Sequence, residues 1–344
     1  MEALMSQTTS HKNLLKAFVL PGLPHLLLAA DKNPGWKKVR NSFDQVKASI
    51  DELNPDVLLV YSTYWPSILG HQVQTREMSE WTHVDDQFHA LGSIPYKIKG
   101  DKKLGESIVK NAKARGLYAK TVDYNGFPID TGSVVVHELI NKDARRPMVI
   151  VSSNVYSDRA ETVVFGKAAV DALNEQGKTA VAIVVTSLSN RLHTRVVDPK
   201  EDHIHSLKDQ EWNEKFMEFL GEGRLEDASQ LSRQFHKEAR VHKVANFKPF
   251  WWLSAVMGAN NLYAGEILSY APVCGTGAAV IRLTPSNKAA RDLEFDENDP
   301  EKYSGERNVL GGEDKDSNFE GGEGFHPSSG MRAGDSDDTF GRAP

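Results

Sequence analysis

The 344-residue sequence contains a single cysteine, Cys274. One thiol excludes a disulfide framework and any metal centre built from clustered cysteines. It lies in the apolar run Tyr270–Gly275, which is typical of an inert core cysteine. No apolar run approaches the roughly 18 residues of a membrane-spanning helix. Clusters of Lys and Arg with interleaved aromatic residues are also lacking, so neither a membrane nor a nucleic acid is an expected partner.

Acidic charge is concentrated at the C-terminal end. Residues 285–344 hold 15 Asp and Glu against 7 Lys and Arg, whereas residues 1–284 hold 32 against 34. The segment 286–344 is rich in Gly, Ser and Asp and has only isolated large apolar residues, which are Phe319, Phe325, Met331 and Phe340. Such a composition predicts a low-complexity tail, disordered in isolation. It is either a plain solvated tail or a segment that docks on a protein partner.

The N-terminal end gives a weaker signal. Residues 1–14 are expected to form a flexible N-terminus. The stretch Lys12–Asp31 imitates a signal peptide, but Pro21, Gly22 and Pro24 interrupt its apolar middle. Those residues would break the helix of an export signal, so a cytoplasmic location is expected.

Strand and helix patterns alternate between residues 15 and 285. Continuous apolar runs predict buried strands, and spaced apolar residues predict helices between them. The predicted strands are Lys16–Leu20, Asp56–Tyr61, Pro147–Ser152, Thr179–Val185 and one within Val273–Leu283; the predicted helices are Trp36–Leu53, Leu104–Arg115, Glu161–Gln176, Trp212–Leu220 and Leu225–Lys237. This order predicts one α/β domain with a central, largely buried mixed sheet flanked by helices.

Generic catalytic motifs do not explain the chain. His137–Asn141 approaches a zinc-protease motif but has Asn where the second zinc ligand would be required, so His137 and Glu138 are interpreted as ordinary helix residues. Gly275–Val280 resembles a truncated dinucleotide loop. It has no following helix, so a close approach of strands is the better interpretation.

Three segments carry a specific resemblance: Ala17–His25, Pro55–Trp65 and Asp123–Gly132. Together they resemble the class III extradiol ring-cleaving dioxygenases, the superfamily of the protocatechuate 4,5-dioxygenase β chain, and within it the non-iron α subunits of 2-aminophenol dioxygenases. The similarity covers roughly residues 15–284 and leaves the tail outside.

The resemblance implies a site in which two histidines and a glutamate hold Fe(II) and a further histidine acts as acid and base, and all four positions are substituted here. Gly22 stands at the first histidine ligand and Tyr64 at the second, while Asn190 replaces the acid/base histidine. No carboxylate occurs in 244–250, where the glutamate would be expected. Displaced ligands, His25 and His71, are the alternative. The iron-free interpretation is favoured. Either Tyr64 and Trp65 fill the former metal cavity, or Tyr64 simply caps the end of a strand. Trp65, Asp130 and Thr131 are candidate pocket residues.

The function expected from this resemblance is that of a non-catalytic α-type subunit without a cofactor of its own. Its homologous partner would carry Fe(II) and cleave a 2-aminophenol or catechol-like ring in a hetero-oligomer. An active dioxygenase with displaced ligands and a non-enzymatic scaffold that docks partners through its tail are the alternatives. Phe250, Trp251 and Trp252 are candidate interface anchors; an aromatic helix packed on the sheet would explain them equally simply.

Overall fold

The computed structural model of the protein describes residues 12–190, 197–225, 228, 247–258 and 263–286. The predicted tail lies outside the described residues from position 287 onward, as does most of the predicted helix Leu225–Lys237. The first strand already begins at Leu14, the last residue of the predicted flexible N-terminus.

The described residues confirm a mixed α/β fold with a large central sheet. The strands are β1 (Leu14–Leu20), β2 (Val57–Ser67), β3 (His71–Gln74), β4 (Met78–His83), β5 (Ile94–Lys99), β6 (Ala119–Val122), β7 (Met148–Asn154), β8 (Ala180–Val185), β9 (Tyr263–Val273) and β10 (Thr276–Pro285). Eight of them form one sheet in the order β6-β3-β7-β2-β8-β1-β10-β9. Strands β7, β2, β8 and β1 are parallel, so their carboxyl ends meet at one edge.

Helices cover both faces of this sheet. They are α1 (His25–Leu28), α2 (Pro34–Leu53), α3 (Lys102–Ala114), α4 (Thr131–Ile140), α5 (Arg159–Gln176), α6 (Leu207–Gly221) and α7 (Lys248–Met257). Helices α1, α2 and α4 pack on one face, and α3, α5, α6 and α7 on the other. All six residues of β8 are buried, as expected of a strand enclosed on both faces.

Helix boundaries follow from capping residues. Asn33 caps α2 by accepting hydrogen bonds from the backbone N–H groups of Gly35 and Trp36, and Pro34 occupies the first turn. At the other end Asn54 adopts the left-handed conformation, with φ 45°, and stops the helix before Pro55. These are the standard signals for the start and end of a helix, and the predicted span Trp36–Leu53 is confirmed to within two residues.

Some elements were missing from the sequence prediction. Strands β4 and β5 form a separate two-stranded sheet beside the main sheet. Strands β3 and β6 are short and lie at one edge of the main sheet.

The predicted closing strand is a hairpin of β9 and β10, which turns at Cys274 and Gly275. Residues 276–280 form the start of β10 and pair with β9. The close approach at Gly277 is that of a strand to helix α6, since a Cβ on Gly277 would lie 2.6 Å from the side-chain nitrogen of Asn213.

Strand β2 contains the irregularity on which the site depends. Ser62 pairs with Ser152 and Pro66 pairs with Ser153, so residues 63–65 are extra in β2. This bulge redirects the side chains of Thr63, Tyr64 and Trp65 at the carboxyl edge of the sheet, as β-bulges commonly do. Within the described part of the chain, no helix has both the length and the apolar character needed to cross a membrane.

Candidate functional site

Tyr64 packs against two glycines at the carboxyl edge of the sheet. A Cβ placed on Gly22 would lie 2.5 Å from the Cα of Gly132, 2.7 Å from Val185 and 2.9 Å from the Tyr64 ring. A Cβ on Gly132 would lie 2.8 Å from the Tyr64 Cγ. Real side chains do not tolerate such distances. The position of the first expected histidine therefore has no room for any side chain while Tyr64 occupies this place.

The bulge that presents Tyr64 is anchored to helix α4. Ser62 donates a hydrogen bond to Asp130 (2.7 Å) and accepts one from the Tyr64 backbone N–H (3.3 Å). Asp130 caps α4 by accepting a bond from the Ser133 backbone (2.9 Å). Burial raises the pKa of Asp130, against the hydrogen bonds that favour its charge. Burial also raises the pKa of Tyr64, opposed by the neighbouring Ser187 hydroxyl and the Gly22 backbone.

A cavity of about 310 Å³ remains beside Tyr64. Its lining residues are Leu23, Pro24, Thr63, Tyr64, Pro66, His83, Asp85, Asp86, Gln87, Phe88, Thr131, Asn190, Cys274 and Thr276. Of the substituted positions, Tyr64 and Asn190 thus reach one cavity, with Gly22 behind Tyr64. Of the candidate pocket residues, Thr131 lines the cavity, while Trp65 and Asp130 support it from behind. Trp65 is buried and packs on Phe127 with ring centroids 5.8 Å apart.

A hydrogen-bonded chain that the sequence did not reveal forms one wall of this cavity. The Thr131 hydroxyl donates to Asp85 Oδ2 (2.6 Å), and His83 Nε2 lies 2.7 Å from the same hydroxyl. Asp85 Oδ1 accepts from the backbone N–H groups of Gln87 and Phe88. No sequence motif pointed to His83 and Asp85, because His83 ends the unpredicted strand β4 and Asp85 follows it. Thr131 was found because it belongs to the segment Asp123–Gly132.

Asp202 organises the opposite wall. Its carboxylate accepts hydrogen bonds from Trp36 Nε1, the Cys274 backbone and the Gly275 backbone, each at 2.7 Å. Asp202 lies in the loop that precedes α6, and these hydrogen bonds join that loop to α2 and to the β9–β10 turn. Cys274 adopts the left-handed conformation there, with φ 51°.

His25 is buried behind the cavity wall and is held by packing. Its ring contacts Trp36 and Phe88 edge-on, with centroids 5.0 and 4.4 Å apart, and its Nε2 lies 3.1 Å from Cys274 Sγ. Burial lowers the pKa of His25 to about 4. Burial likewise raises the pKa of the Cys274 thiol to about 12, in agreement with an inert core cysteine. Asp202 and Asp85 only partly oppose the shift of His25.

His71 lies on the opposite face of the sheet. It stacks on Phe165 of α5 with centroids 4.2 Å apart and is 1% exposed. Burial, with a smaller effect of Lys248, lowers the pKa of His71 to about 3. His25 packs with Trp36 and Phe88 on the other face, so the structure does not bring the two alternative ligands together. Across the described ranges, no group of three His, Cys, Asp or Glu side chains is arranged to hold a metal ion.

Phe250, Trp251 and Trp252 are buried in helix α7. Phe250 packs edge-on against Phe216 at 4.5 Å, and Trp252 packs against Tyr61 at 5.4 Å. Their exposed fractions are 2%, 9% and 0%. This corresponds to the aromatic helix packed on the sheet, and it leaves none of the three rings exposed as an interface anchor.

The residues at this site do not fit an Fe(II) centre of the kind the resemblance implies. Gly22 has no ligand atom and no space for one, and Tyr64 and Asn190 stand where two imidazoles would be required. Among the described residues, His83 is the imidazole that lines the cavity, where its Nε2 contacts Thr131, and His25 faces the Cys274 thiol instead of the cavity. Residues 244–246, part of the segment expected to supply a glutamate, lie outside the described residues but contain no carboxylate.

Comparisons with known proteins match the α/β domain that carries this site. A family model described as the catalytic LigB subunit of aromatic ring-opening dioxygenase matches residues 16–281. The chain is 30% identical to the alpha subunit of a 2-aminophenol 1,6-dioxygenase from Pseudomonas sp. over 79% of this chain and 99% of the relative. It is 31% identical to the beta subunit of a 2-aminophenol 1,6-dioxygenase from Pseudomonas sp., over 78% of this chain and 93% of the relative.

A more distant relative matches by sequence, and a solved structure matches by fold. A 3,4-dihydroxyphenylacetate 2,3-dioxygenase from Escherichia coli is 21% identical over 70% of this chain and 88% of its own. The crystal structure of an uncharacterised Escherichia coli K12 protein matches with a TM-score of 0.54 at 17% identity, over 78% of this chain and 99% of that one; this likeness concerns the fold. Because the family model spans the whole α/β domain and two relatives match at 30% identity or more, the chain belongs to the LigB family of aromatic ring-opening dioxygenases.

Proposed function

We propose that this chain is a non-catalytic α-type subunit of a two-chain aromatic ring-opening dioxygenase. Its homologous partner would carry the Fe(II) and cleave a 2-aminophenol or catechol-like ring. The observation that carries this proposal is the packing of Tyr64 into the space between Gly22 and Gly132. In that packing, Gly22 and Tyr64 stand at the two expected histidine positions and contact each other, which leaves no space for a metal ion.

The relatives support a two-chain assembly. Similar identities to an alpha and to a beta subunit, 30% and 31%, indicate that the two kinds of chain share one fold. Two copies of one fold can associate through equivalent surfaces with approximate two-fold symmetry. In such a pair one chain can lose its metal site and still be required, because its surface packs against the partner chain and stabilises it.

An active dioxygenase with displaced ligands is less consistent with the structure. It would need His25 and His71 near one point, yet these residues pack on opposite faces of the sheet. It would also need a proton-transferring group near the cavity in place of Asn190. Among the described residues, His83 is the imidazole that lines the cavity, but its Nε2 is already in contact with the Thr131 hydroxyl.

The test compares this chain alone with its complex. The full chain, loaded anaerobically with Fe(II) and desalted, should retain far less than one iron per chain and should not consume O2 with 2-aminophenol or catechol. The same chain, carrying an affinity tag in its native cells, should co-purify with a homologous iron-containing protein whose ring-cleaving activity falls when this chain is removed. About one tightly bound iron per isolated chain, with substrate-dependent O2 uptake, would contradict the proposal.

A further inference from the structure

The exposed side of helix α3 carries positive charge that nothing in the described fold neutralises. Residues 97–120, which include α3, hold eight Lys and Arg against two Asp and Glu. Lys103, Lys110 and Lys113 are exposed and lie along one side of α3, because positions three and seven apart share a helix face. Within the described ranges, none of these three ammonium groups forms an ion pair. We call these three lysines the basic stripe.

Two carboxylates lie beside the basic stripe without cancelling its charge. Glu106 is exposed on the same side of α3. Glu175, near the end of α5, accepts a hydrogen bond from the Ser107 hydroxyl (3.0 Å). A groove of about 610 Å³ runs between α3 and the end of α5. The surface therefore keeps a net positive charge and has room for an extended segment of chain.

The C-terminal segment leaves the described fold close to the start of the basic stripe. Strand β10 runs antiparallel to β1 and ends at Pro285, beside the start of β1. Asn13, which precedes β1, donates to the side chain of Asn174 near the end of α5 (3.0 Å). Gln176 donates to the backbone carbonyl of Lys103 (3.1 Å). One strand spacing, one side-chain contact and one spacing between packed helices thus separate Pro285 from Lys103, on the order of 25 Å.

The first part of the C-terminal segment has the complementary charge. Residues 292–301 hold six Asp and Glu and no Lys or Arg. Residues 286–292 can span up to about 25 Å when extended, so the acidic run begins where the chain can first reach Lys103. The basic stripe from Lys103 to Lys113 is about 15 Å long, which ten residues can cover. Reach and charge therefore point to the same segment.

We propose that residues 292–301 bind along the basic stripe of their own chain. Single exposed ion pairs contribute little, but here several act together, and the connection through residues 286–291 keeps both partners at a high effective concentration. The bound segment would join β10 to α3 across the end of α5 and cover this side of α3. The contact involves neither the cavity beside Tyr64 nor a partner chain, so its failure would leave the proposed subunit role intact.

The first test is carbodiimide cross-linking of the full chain, which joins a carboxylate to an ammonium group where the two are in contact. At low salt, peptides from 292–301 should be joined to peptides that contain lysines of the basic stripe. At 0.5 M NaCl the yield should fall at least about fivefold, because salt screens exposed charges. An equal mixture of ¹⁴N-labelled and ¹⁵N-labelled chains shows whether the contact lies within one chain. The two joined peptides should then always carry the same label.

The second test measures how fast a glutamate-specific protease cleaves within residues 292–301. Lys110→Gln combined with Lys113→Gln should raise this rate at least about threefold at low salt and leave it unchanged at 0.5 M NaCl. The matched control is Lys32→Gln combined with Lys38→Gln. These two lysines are exposed, form no ion pair with any described residue, and lie at or near the start of α2 on the other face of the sheet. The control should be cleaved at the wild-type rate, and thermal unfolding curves will show that both variants are folded.

Three results would overturn the proposal. One is the absence of low-salt cross-links between residues 292–301 and the basic stripe, which would describe a solvated segment or one that binds only a separate protein. Another is joined peptides that carry different labels, which would place the contact between two copies of the chain. The last is a cleavage rate that the variant with Lys110→Gln and Lys113→Gln leaves unchanged, or that the control raises equally.

Discussion

At the scale of single residues, the packing of the site depends on Gly22 and Gly132, where there is no space for a side chain. The resemblance predicted substitutions at Gly22, Tyr64 and Asn190, because these residues fall within recognisable segments around β1, β2 and β8. It could not show that the Tyr64 ring lies against Gly132, since residues 64 and 132 belong to different elements. Hydrophobic pattern carries no information about such a contact between a bulge and a helix start.

Gly22→Ala should destabilise the protein although it adds only a methyl group. The new Cβ would lie 2.5 Å from the Gly132 Cα and 2.7 Å from Val185, and overpacking of this kind costs about 1–3 kcal/mol. Urea unfolding of the full chain measures the loss. Gly221→Ala is the control: a Cβ there meets Ile267 at 3.9 Å, so this variant should be neutral or slightly more stable. Equal stability of the two variants would refute the packing argument.

At the scale of elements, long periodic helices and continuous buried strands were predicted well. Helix α5 was predicted as Glu161–Gln176 and spans Arg159–Gln176, and β8 was predicted to within one residue. The short strands β3 to β6 were missed because four to six residues carry little pattern. The end of β2 was placed at Tyr61, whereas the strand continues to Ser67 through a bulge and a proline that obscure its alternation.

Asp130→Ala should uncouple helix α4 from the bulge in β2. The carboxylate bonds both the Ser133 backbone and the Ser62 hydroxyl, and loss of a cap alone costs about 1 kcal/mol. We expect a loss of about 2 kcal/mol in unfolding free energy, together with faster hydrogen exchange at the Tyr64 backbone N–H, which donates to the Ser62 hydroxyl. Ser206→Ala removes the cap of α6, which bonds the Asp209 backbone. This control should lower stability and leave exchange at Tyr64 unchanged.

Asp202→Ala should free the β9–β10 turn from the loop that precedes α6. Three N–H groups would lose their acceptor, including the indole of Trp36, which is 1% exposed. A loss of about 2–4 kcal/mol follows from leaving buried donors unpaired. Asp202→Asn should recover part of it, because an amide has one acceptor oxygen to share among the three donors. Hydrogen exchange at Cys274 and Gly275 would show protection falling first; unchanged protection would contradict this role.

At the scale of the whole molecule, three histidines are buried as neutral groups. Burial lowers the pKa values of His25 and His137 to about 4 and that of His71 to about 3. Their pKa in an unfolded chain is about 6.5. Below that pH the unfolded state binds protons that the folded state does not, so the free energy of unfolding must fall as pH decreases from 6.5 toward 4.

His71→Leu should reduce this acid sensitivity. Each such histidine contributes a loss of about 2 kcal/mol between pH 7 and pH 5, and neither ring nitrogen of His71 has a hydrogen-bond partner. Removing it should therefore leave stability at pH 7 nearly unchanged and recover about 2 kcal/mol at pH 5. Urea titrations at both pH values test this. His89→Leu, at an exposed position, should follow the wild-type curve; a variant His71→Leu that also followed it would exclude His71 as a source of the effect.

The packing of Tyr64 against the two glycines would make the proposed loss of the metal position hard to reverse. Gly22→His alone would drive an imidazole into Gly132 and the Tyr64 ring, whereas Tyr64→His alone would leave a void and supply one imidazole instead of two. Either single substitution toward an iron-binding sequence would thus give a less stable protein that still lacks a metal site. We expect Gly22→His to unfold well below the wild-type temperature and Tyr64→His to restore part of that loss in the double variant. Steric fit, as much as the lack of ligand atoms, would therefore oppose the return of a metal site in this chain.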